Sequence, residues 1–317
     1  MSQPATPRVV ASFAAIYLVW GSTFLAIRWA VETIPPFPMM ALRCLLGGGI
    51  LLALSRLREP ASRWPAPEQW MGAAVVGTLF FVCCHGLLAR EEQHVPSGIA
   101  ALCLATIPLF VPLLAWSVLG SGRPSLRTAV ALLAAFAGVA MLVARQGAGG
   151  GGLSAADAAL LLFTAFSWAA GTIASRRLPV PSAPLAAAAA PLLAGGVLLT
   201  VLSVVSGEAG DMHPTQVSDR SWAGLIYLVV MGTVVTFAAY MWLLDHVAPT
   251  RVATYAFVNP AVAVLLGWAV ASEDVSAATL VATAVIIVAV AVAVTARSAG
   301  TPRQRAEAAE PVSAIAD

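Results

Sequence analysis

The residues of this 317-residue chain whose types and spacing point to chemistry are polar and ionisable side chains set inside apolar sequence. Arg43 stands well inside the run Phe37–Leu54, where a cation is costly unless something pairs with it. Two readings are open for it: an ion pair with Glu91 or Glu92, or contact with the carboxylate of a substrate. Glu91 and Glu92 follow the run Trp70–Ala89. Adjacent acids raise one another's proton affinity, so the pair suits proton exchange, and it equally suits a solvated loop. His85, a turn or two deeper, fits either a proton relay or a hydrogen-bonded core histidine. Arg28, near the end of the first apolar run, reads as a side chain snorkelling to the membrane interface.

Aromatic, proline and glycine positions form a second set. Trp20 and Trp168 sit mid-run, whereas Trp29, Trp70, Trp116, Trp222 and Trp268 lie near run ends, as an interfacial belt does. With Tyr240 and Tyr255, the mid-run pair either lines an aromatic cavity for apolar or cationic molecules or packs as core. Pro108 and Pro260 each remove a backbone hydrogen bond within an apolar run, freeing a carbonyl for a kink or a contact. Gly47, Gly48, Gly49, Gly195 and Gly196 permit close helix approach and read as packing.

Several chemistries are excluded. All 17 basic side chains are arginine, so neither a phosphate-loop lysine nor a lysine Schiff base exists here. Cys44, Cys83, Cys84 and Cys103 lie in apolar runs without Cys-x-x-Cys spacing and read as core. A site from Cys83, Cys84 and His85 is disfavoured because adjacent residues on a helix point in different directions. Neither a cofactor nor a metal centre is expected. The net charge of +2 and the lack of a basic tract argue against nucleic acid.

The elements that must position these residues are membrane helices. The chain is 60% hydrophobic and 10% charged, whereas a soluble domain is roughly 45–50% apolar and about 25% charged. Ten apolar runs follow: Val9–Val31, Phe37–Leu54, Trp70–Ala89, Pro96–Leu119 and Leu126–Ala144, then Ala155–Ala174, Pro184–Val205, Trp222–Leu244, Val252–Ala271 and Ala277–Ala296. The first is too long for a signal-peptide core and reads as a retained helix. Gly147–Gly152 reads as a flexible linker, and the polar stretch from Arg297 as a disordered tail.

Arginine asymmetry orients the chain. With the N-terminus inside, Arg8, Arg56, Arg58, Arg63, Arg123, Arg127, Arg176, Arg177, Arg251, Arg297, Arg303 and Arg305 fall on the cytoplasmic side. Only Arg90, Arg145 and Arg220 fall outside. Both termini are thus expected in the cytoplasm.

The sequence also repeats. His94 to Trp116 aligns without a gap over His246 to Trp268, matching at His94/His246, Val95/Val247, Ala101/Ala253, Pro108/Pro260, Leu113/Leu265, Leu114/Leu266 and Trp116/Trp268. Gly77-Thr78 matches Gly232-Thr233 after a small gap, and Trp20 with Arg28 matches Trp168 with Arg176. Five helices per copy is an odd number, so the second copy enters the membrane from the opposite side, the inverted arrangement of many secondary transporters. His94 and His246 would then be gate pieces at opposite faces.

Trp20-Gly21-Ser22-Thr23-Phe24, Arg43, Val95-Pro96-Ser97-Gly98-Ile99-Ala100-Ala101 before Pro108, and Val258-Asn259-Pro260 carry a resemblance to the EamA-type drug/metabolite transporter superfamily, and most to its YedA-like exporter branch. The resemblance spans Val9 to Ala296. It implies an all-α integral membrane protein of ten helices in two five-helix repeats, a central cavity between them, and efflux of amino acids, metabolites or toxic compounds across a bacterial inner membrane. Family members often carry a glutamate before the arginine-proline pair after helix 4; here Ser121-Gly122-Arg123-Pro124 stands instead, so that residue's role does not transfer.

The expected organisation is a cytoplasmic segment 1–8, a first repeat 9–144, a linker 145–154, a second repeat 155–296 and a tail 297–317. Trp20, Thr23, Arg43, His85, Pro108, Trp168, Tyr240, Tyr255, Asn259 and Pro260 are the candidate cavity residues. Glu91, Glu92, His94 and His246 are candidates for coupling or gating. The expected function is alternating-access export of a small molecule, with protons as the candidate coupling ion. The oligomeric state is left open. An importer or facilitator shares every feature used above, and an intramembrane enzyme using Ser97 and His85 would have no use for a duplicated fold.

Overall fold

The computed structural model describes residues 6–58, 64–120, 122–146, 153–247 and 249–297. The described residues are helical with short connections and include no strand. The glycine linker at 147–152 and the tail from residue 298 lie outside them.

Among the described residues, nine helices are long and apolar enough to cross a bilayer: α1 Pro7–Ala30, α2 Pro36–Arg58, α3 Pro67–Glu91, α4 Ser97–Leu119, α5 Leu126–Ala144, α6 Ala155–Ala174, α7 Pro184–Val205, α8 Asp219–Leu243 and, after α9, α10 Ala277–Val294. The helix α9, Tyr255–Ala271, has 17 residues, about 25 Å of rise, so it falls just short of a full hydrocarbon crossing. The sequence expectation began this run at Val252; the chain instead makes a short turn, Pro249–Val252, before α9 begins.

Local chemistry sets these boundaries. Pro36, Pro67 and Pro184 occupy first turns, where a missing N–H leaves no bond unmade. Ser154 and Asp157 cap α6 reciprocally: the Asp157 N–H donates to Ser154 Oγ at 3.1 Å and the Ser154 N–H donates to Asp157 Oδ2 at 2.9 Å. Left-handed residues end α4 at Gly120 with φ 65° and α9 at Ser272 with φ 53°. Glycine takes that conformation freely, and serine does so against steric resistance.

Among the described residues, three helices contain π-helical stretches: Ala15–Val19 in α1, Thr78–Gly86 in α3 and Leu228–Val235 in α8. There the backbone ladder is reset and side chains find carbonyls five residues back. Thr233 Oγ1 donates to the Leu228 carbonyl at 2.9 Å and Thr236 Oγ1 to the Met231 carbonyl at 2.7 Å.

Glycine lets the helices approach closely. A Cβ on Gly77 would lie 2.5 Å from the Pro191 carbonyl oxygen, so α3 meets α7 backbone to backbone. Gly196 faces Cys44 and Leu45 of α2, Gly48 faces Leu192 and Leu193 of α7, and Gly47 faces Thr233 of α8, as the packing expectation required. Gly49 meets nothing.

The packing pairs α2 with α7 and α5 with α10. It sets α1 against α8 and α9, and α6 against α3 and α4. Each of these contacts has a counterpart when helix n is exchanged for helix n + 5. Large apolar side chains such as Leu133, Val205 and Leu280 point outward at 57–78% exposure. In water that would be unfavourable; in lipid it is the solvated state.

Candidate functional site

Arg43 is buried on the face of α2 turned toward α8. Its Nε donates to Thr233 Oγ1 at 3.3 Å, and its Nη1 has no hydrogen-bond partner. Of the two readings left open by the sequence, the ion pair does not form: neither Glu91 nor Glu92 lies within ion-pair distance of the guanidinium. A delocalised cation is thus held inside the bundle by a neutral hydroxyl, with donors to spare.

Glu92 is 1% exposed and neither of its carboxylate oxygens accepts a hydrogen bond. Burial, together with the neighbouring Glu273 charge, holds its carboxyl well above the usual carboxylate range, against the opposite pull of Arg28 and Arg43. Glu91 turns another way. Its Oε2 lies 3.6 Å from His94 Nε2, which is also 3.4 Å from Asp157 Oδ1 on α6. The adjacent acids therefore do not act as a pair, because successive residues at a helix end diverge in direction.

Arg28 does not snorkel. Its Nη1 donates to the Val95 carbonyl at 2.9 Å and its Nε lies 3.6 Å from Glu273 Oε1. Glu273 in turn accepts from the Ser97 N–H and the Ser97 hydroxyl, both at 2.8 Å, and from the Gly98 N–H at 3.2 Å. The free N–H groups at the start of α4 create a natural carboxylate site, and the glutamate that fills it comes from the turn after α9. Glu273 is a residue the sequence reading missed. Continuing the gapless repeat alignment by five residues would have set Gly120 over Ser272, the two left-handed stops, and Ser121 over Glu273.

The aromatic residues form two groups where one had been expected. Trp20 packs at 5.3 Å from Tyr240 and 5.1 Å from Tyr255, and its Nε1 donates to the Gly232 carbonyl at 3.0 Å. Trp168 instead stacks on Phe80 at 4.2 Å and meets the His85 ring at 5.0 Å. Equivalent tryptophans thus serve different clusters, one joining α1, α8 and α9, the other joining α3 and α6. His85 Nδ1 lies 3.0 Å from the Phe80 carbonyl, the bond of a core histidine.

The remaining candidates are held by local bonds. Thr23 Oγ1 donates to the Trp20 carbonyl at 2.6 Å. With its amide nitrogen turned toward them, buried Asn259 donates to the carbonyls of Ile16, Tyr17 and Tyr255 at 3.1–3.2 Å, two of them in the α1 π-helical stretch. The Tyr17 and Thr254 hydroxyls are bonded to each other across α1 and the turn before α9. His246 stacks on Trp242 at 4.4 Å and its Nδ1 lies 2.8 Å from the Trp242 carbonyl, while the Arg8 guanidinium lies over that indole, 4.6 Å from its ring centre. His94 and His246 align in sequence yet have unlike surroundings.

Pro108 and Pro260 also differ. Pro108 opens the second half of α4 after a break at Ala105 and Thr106, whereas Pro260 lies inside continuous α9. The equivalence in sequence is therefore not an equivalence in backbone. An apolar cleft of about 790 Å³ runs between α5 and α10, lined by residues such as Leu126, Val130 and Val288. It holds none of the candidate residues and is a surface that lipid chains would cover.

The EamA-like transporter family model matches residues 9–144 and again 157–295. The protein named uncharacterized inner membrane transporter YedA of Escherichia coli (strain K12) is 36% identical over 275 residues, covering 86% of each chain. A WAT1-related chloroplastic protein of Arabidopsis thaliana is 25% identical, covering 85% of this chain and 65% of that one. A solved crystal structure with 22% identity superposes at a TM-score of 0.60 over 95% of this chain and 100% of the other, a likeness of fold.

Proposed function

Because this chain belongs to the EamA-like transporter family, we propose that it is a secondary exporter moving small metabolites, amino acids or drug-like compounds out of the cell, with Arg43 receiving the carboxylate of its cargo. The observation that carries the reading is the Arg43 guanidinium: buried, facing the second repeat, bonded only through Nε to a threonine hydroxyl, with Nη1 unpartnered. Such a group is costly inside a membrane protein unless an anion completes it during the working cycle.

On this reading α9 spans the membrane with the nine longer helices, both termini are cytoplasmic, and the repeats 9–144 and 155–296 are inverted. The exchange symmetry of the packing supports that arrangement, since α1 meets α8 and α9 as α6 meets α3 and α4. Two inverted copies can swap conformations, turning an outward opening into an inward one. The two aromatic groups around Trp20 and Trp168 would flank the path, with His94 and His246 at its opposite ends. The chain has no lysine and hence no phosphate-loop motif, so the driving force on this reading is a gradient. A proton is the coupling ion assigned here, with Glu92 rather than Glu91 as its carrier, since Glu92 lies among Arg28, Arg43 and Glu273.

The test compares extracellular metabolites from cells producing wild type and Arg43→Ala, followed by flux of the responding compound in vesicles of known orientation. Export predicts an extracellular excess that Arg43→Ala abolishes. An unchanged profile overturns it, and uptake in place of efflux would make the protein an importer or facilitator.

A further inference from the structure

Glu91, His94 and Asp157 bring one imidazole nitrogen and two carboxylate oxygens to a common point, with all three donor atoms within 4.8 Å of one another. His94 Nε2 is 3.4 Å from Asp157 Oδ1 and 3.6 Å from Glu91 Oε2. Donors bonded to one tetrahedral zinc ion at about 2.0–2.2 Å lie roughly 3.3–3.6 Å apart, so two of the three edges already have the length such an ion imposes.

A second observation points the same way. Glu91 is 5% exposed, and its Oε2, aimed into this cluster, accepts no hydrogen bond. A buried carboxylate oxygen without a donor is unfavourable unless a cation satisfies it. His94 is the open side of the cluster, with its side chain 56% exposed, which gives an ion a route from solvent. Asp157 is held in place by its other oxygen, Oδ2, which accepts the Ser154 N–H at 2.9 Å. That bond fixes the carboxylate so that Oδ1 points at His94 Nε2 and the shared position, the kind of outer support that metal ligands use.

We propose that Glu91, His94 and Asp157 form a divalent cation site of the zinc class, joining the end of α3 to the start of α6. Two carboxylates and a neutral imidazole carry a charge of −2, which matches a dication. The imidazole selects zinc-like ions over magnesium or calcium, which take all-oxygen shells. The site joins the first repeat to the second, so an ion bound there would tie the two together on the face where α3 ends. Sequence spacing hides it, because Asp157 lies 63 residues from His94. The proposal is independent of the transport reading, and its test reads binding alone.

The experiment is calorimetric titration of zinc chloride into the purified full-length protein in lipid nanodiscs, with magnesium chloride as competitor. The expected result is saturable uptake of one zinc per chain, unaffected by excess magnesium. His94→Ala should weaken it at least tenfold, as should Glu91→Gln, while His213→Ala, at an exposed histidine elsewhere, should leave it unchanged. The His94 side chain is exposed enough for its removal to spare the fold, so that variant decides the matter even if Glu91→Gln is unstable. Failure of the wild type to take up one equivalent, equal binding by His94→Ala, or displacement by magnesium would overturn the assignment.

Discussion

Ser97 and Glu273 lie 176 residues apart and are joined twice: Glu273 Oε1 accepts both the Ser97 backbone N–H and its hydroxyl at 2.8 Å. This contact fastens the turn after α9 to the first turn of α4, with Arg28 adding the opposite charge at 3.6 Å. Hydrogen bonds to charged groups contribute about 1.5–3 kcal/mol each. Glu273→Ala should therefore lower thermal stability in detergent by an amount in that range or above, and Glu273→Gln by less, since the amide oxygen still accepts. Melting curves followed by tryptophan fluorescence check this, and an unchanged midpoint for Glu273→Ala would remove the clasp from the account.

Arg43 should separate stability from transport. Its Nη1 has no partner to lose, so Arg43→Met, which fills similar volume without charge, should keep or raise the melting temperature while reducing flux at least tenfold. A stability loss together with the flux loss would instead mark Arg43 as structural.

Glu92 carries a pH signature. Its carboxyl is held above the usual range, whereas in the unfolded chain it would titrate at about 4.3. The folded state then binds the extra proton, so stability attached to this group is greatest below the unfolded value and falls as pH rises toward the folded one. Glu92→Gln, neutral at every pH, should flatten that part of the stability profile and melt no lower than wild type at neutral pH. A steeper profile in the variant would refute the burial argument.

Helix contact can be tested at two glycines. A methyl at Gly77 would sit 2.5 Å from the Pro191 carbonyl oxygen, while one at Gly49 would meet nothing within 4 Å. Overpacking costs typically about 1–3 kcal/mol, so Gly77→Ala should lower the melting temperature and Gly49→Ala should not. Equal effects at both positions would contradict the close α3–α7 approach.

Much of the fold is legible in the chain itself because lipid imposes a simple rule. Each apolar run must satisfy its own backbone, so its length and composition declare a helix, and the runs from Leu126, Ala155 and Pro184 match the helices they form. The gapless alignment of His94–Trp116 over His246–Trp268 was legible for the same reason, since related helices keep related residues. It misled at Pro108 and Pro260, because the first copy breaks at Ala105 and Thr106, just before its proline, and the second at Ala253 and Thr254, a turn earlier in the alignment.

What the sequence alone determined is the nine long apolar helices among the described residues, the duplication and the cost of leaving Arg43 in the membrane, all consequences of local composition against a hydrocarbon solvent. Tertiary structure decided the partners: Glu273 on Ser97 and Arg28, Glu91 facing His94 and Asp157, Trp20 and Trp168 in separate clusters. A helix presents neighbouring residues in different directions and brings distant ones together, so direction and proximity arise only when the helices pack.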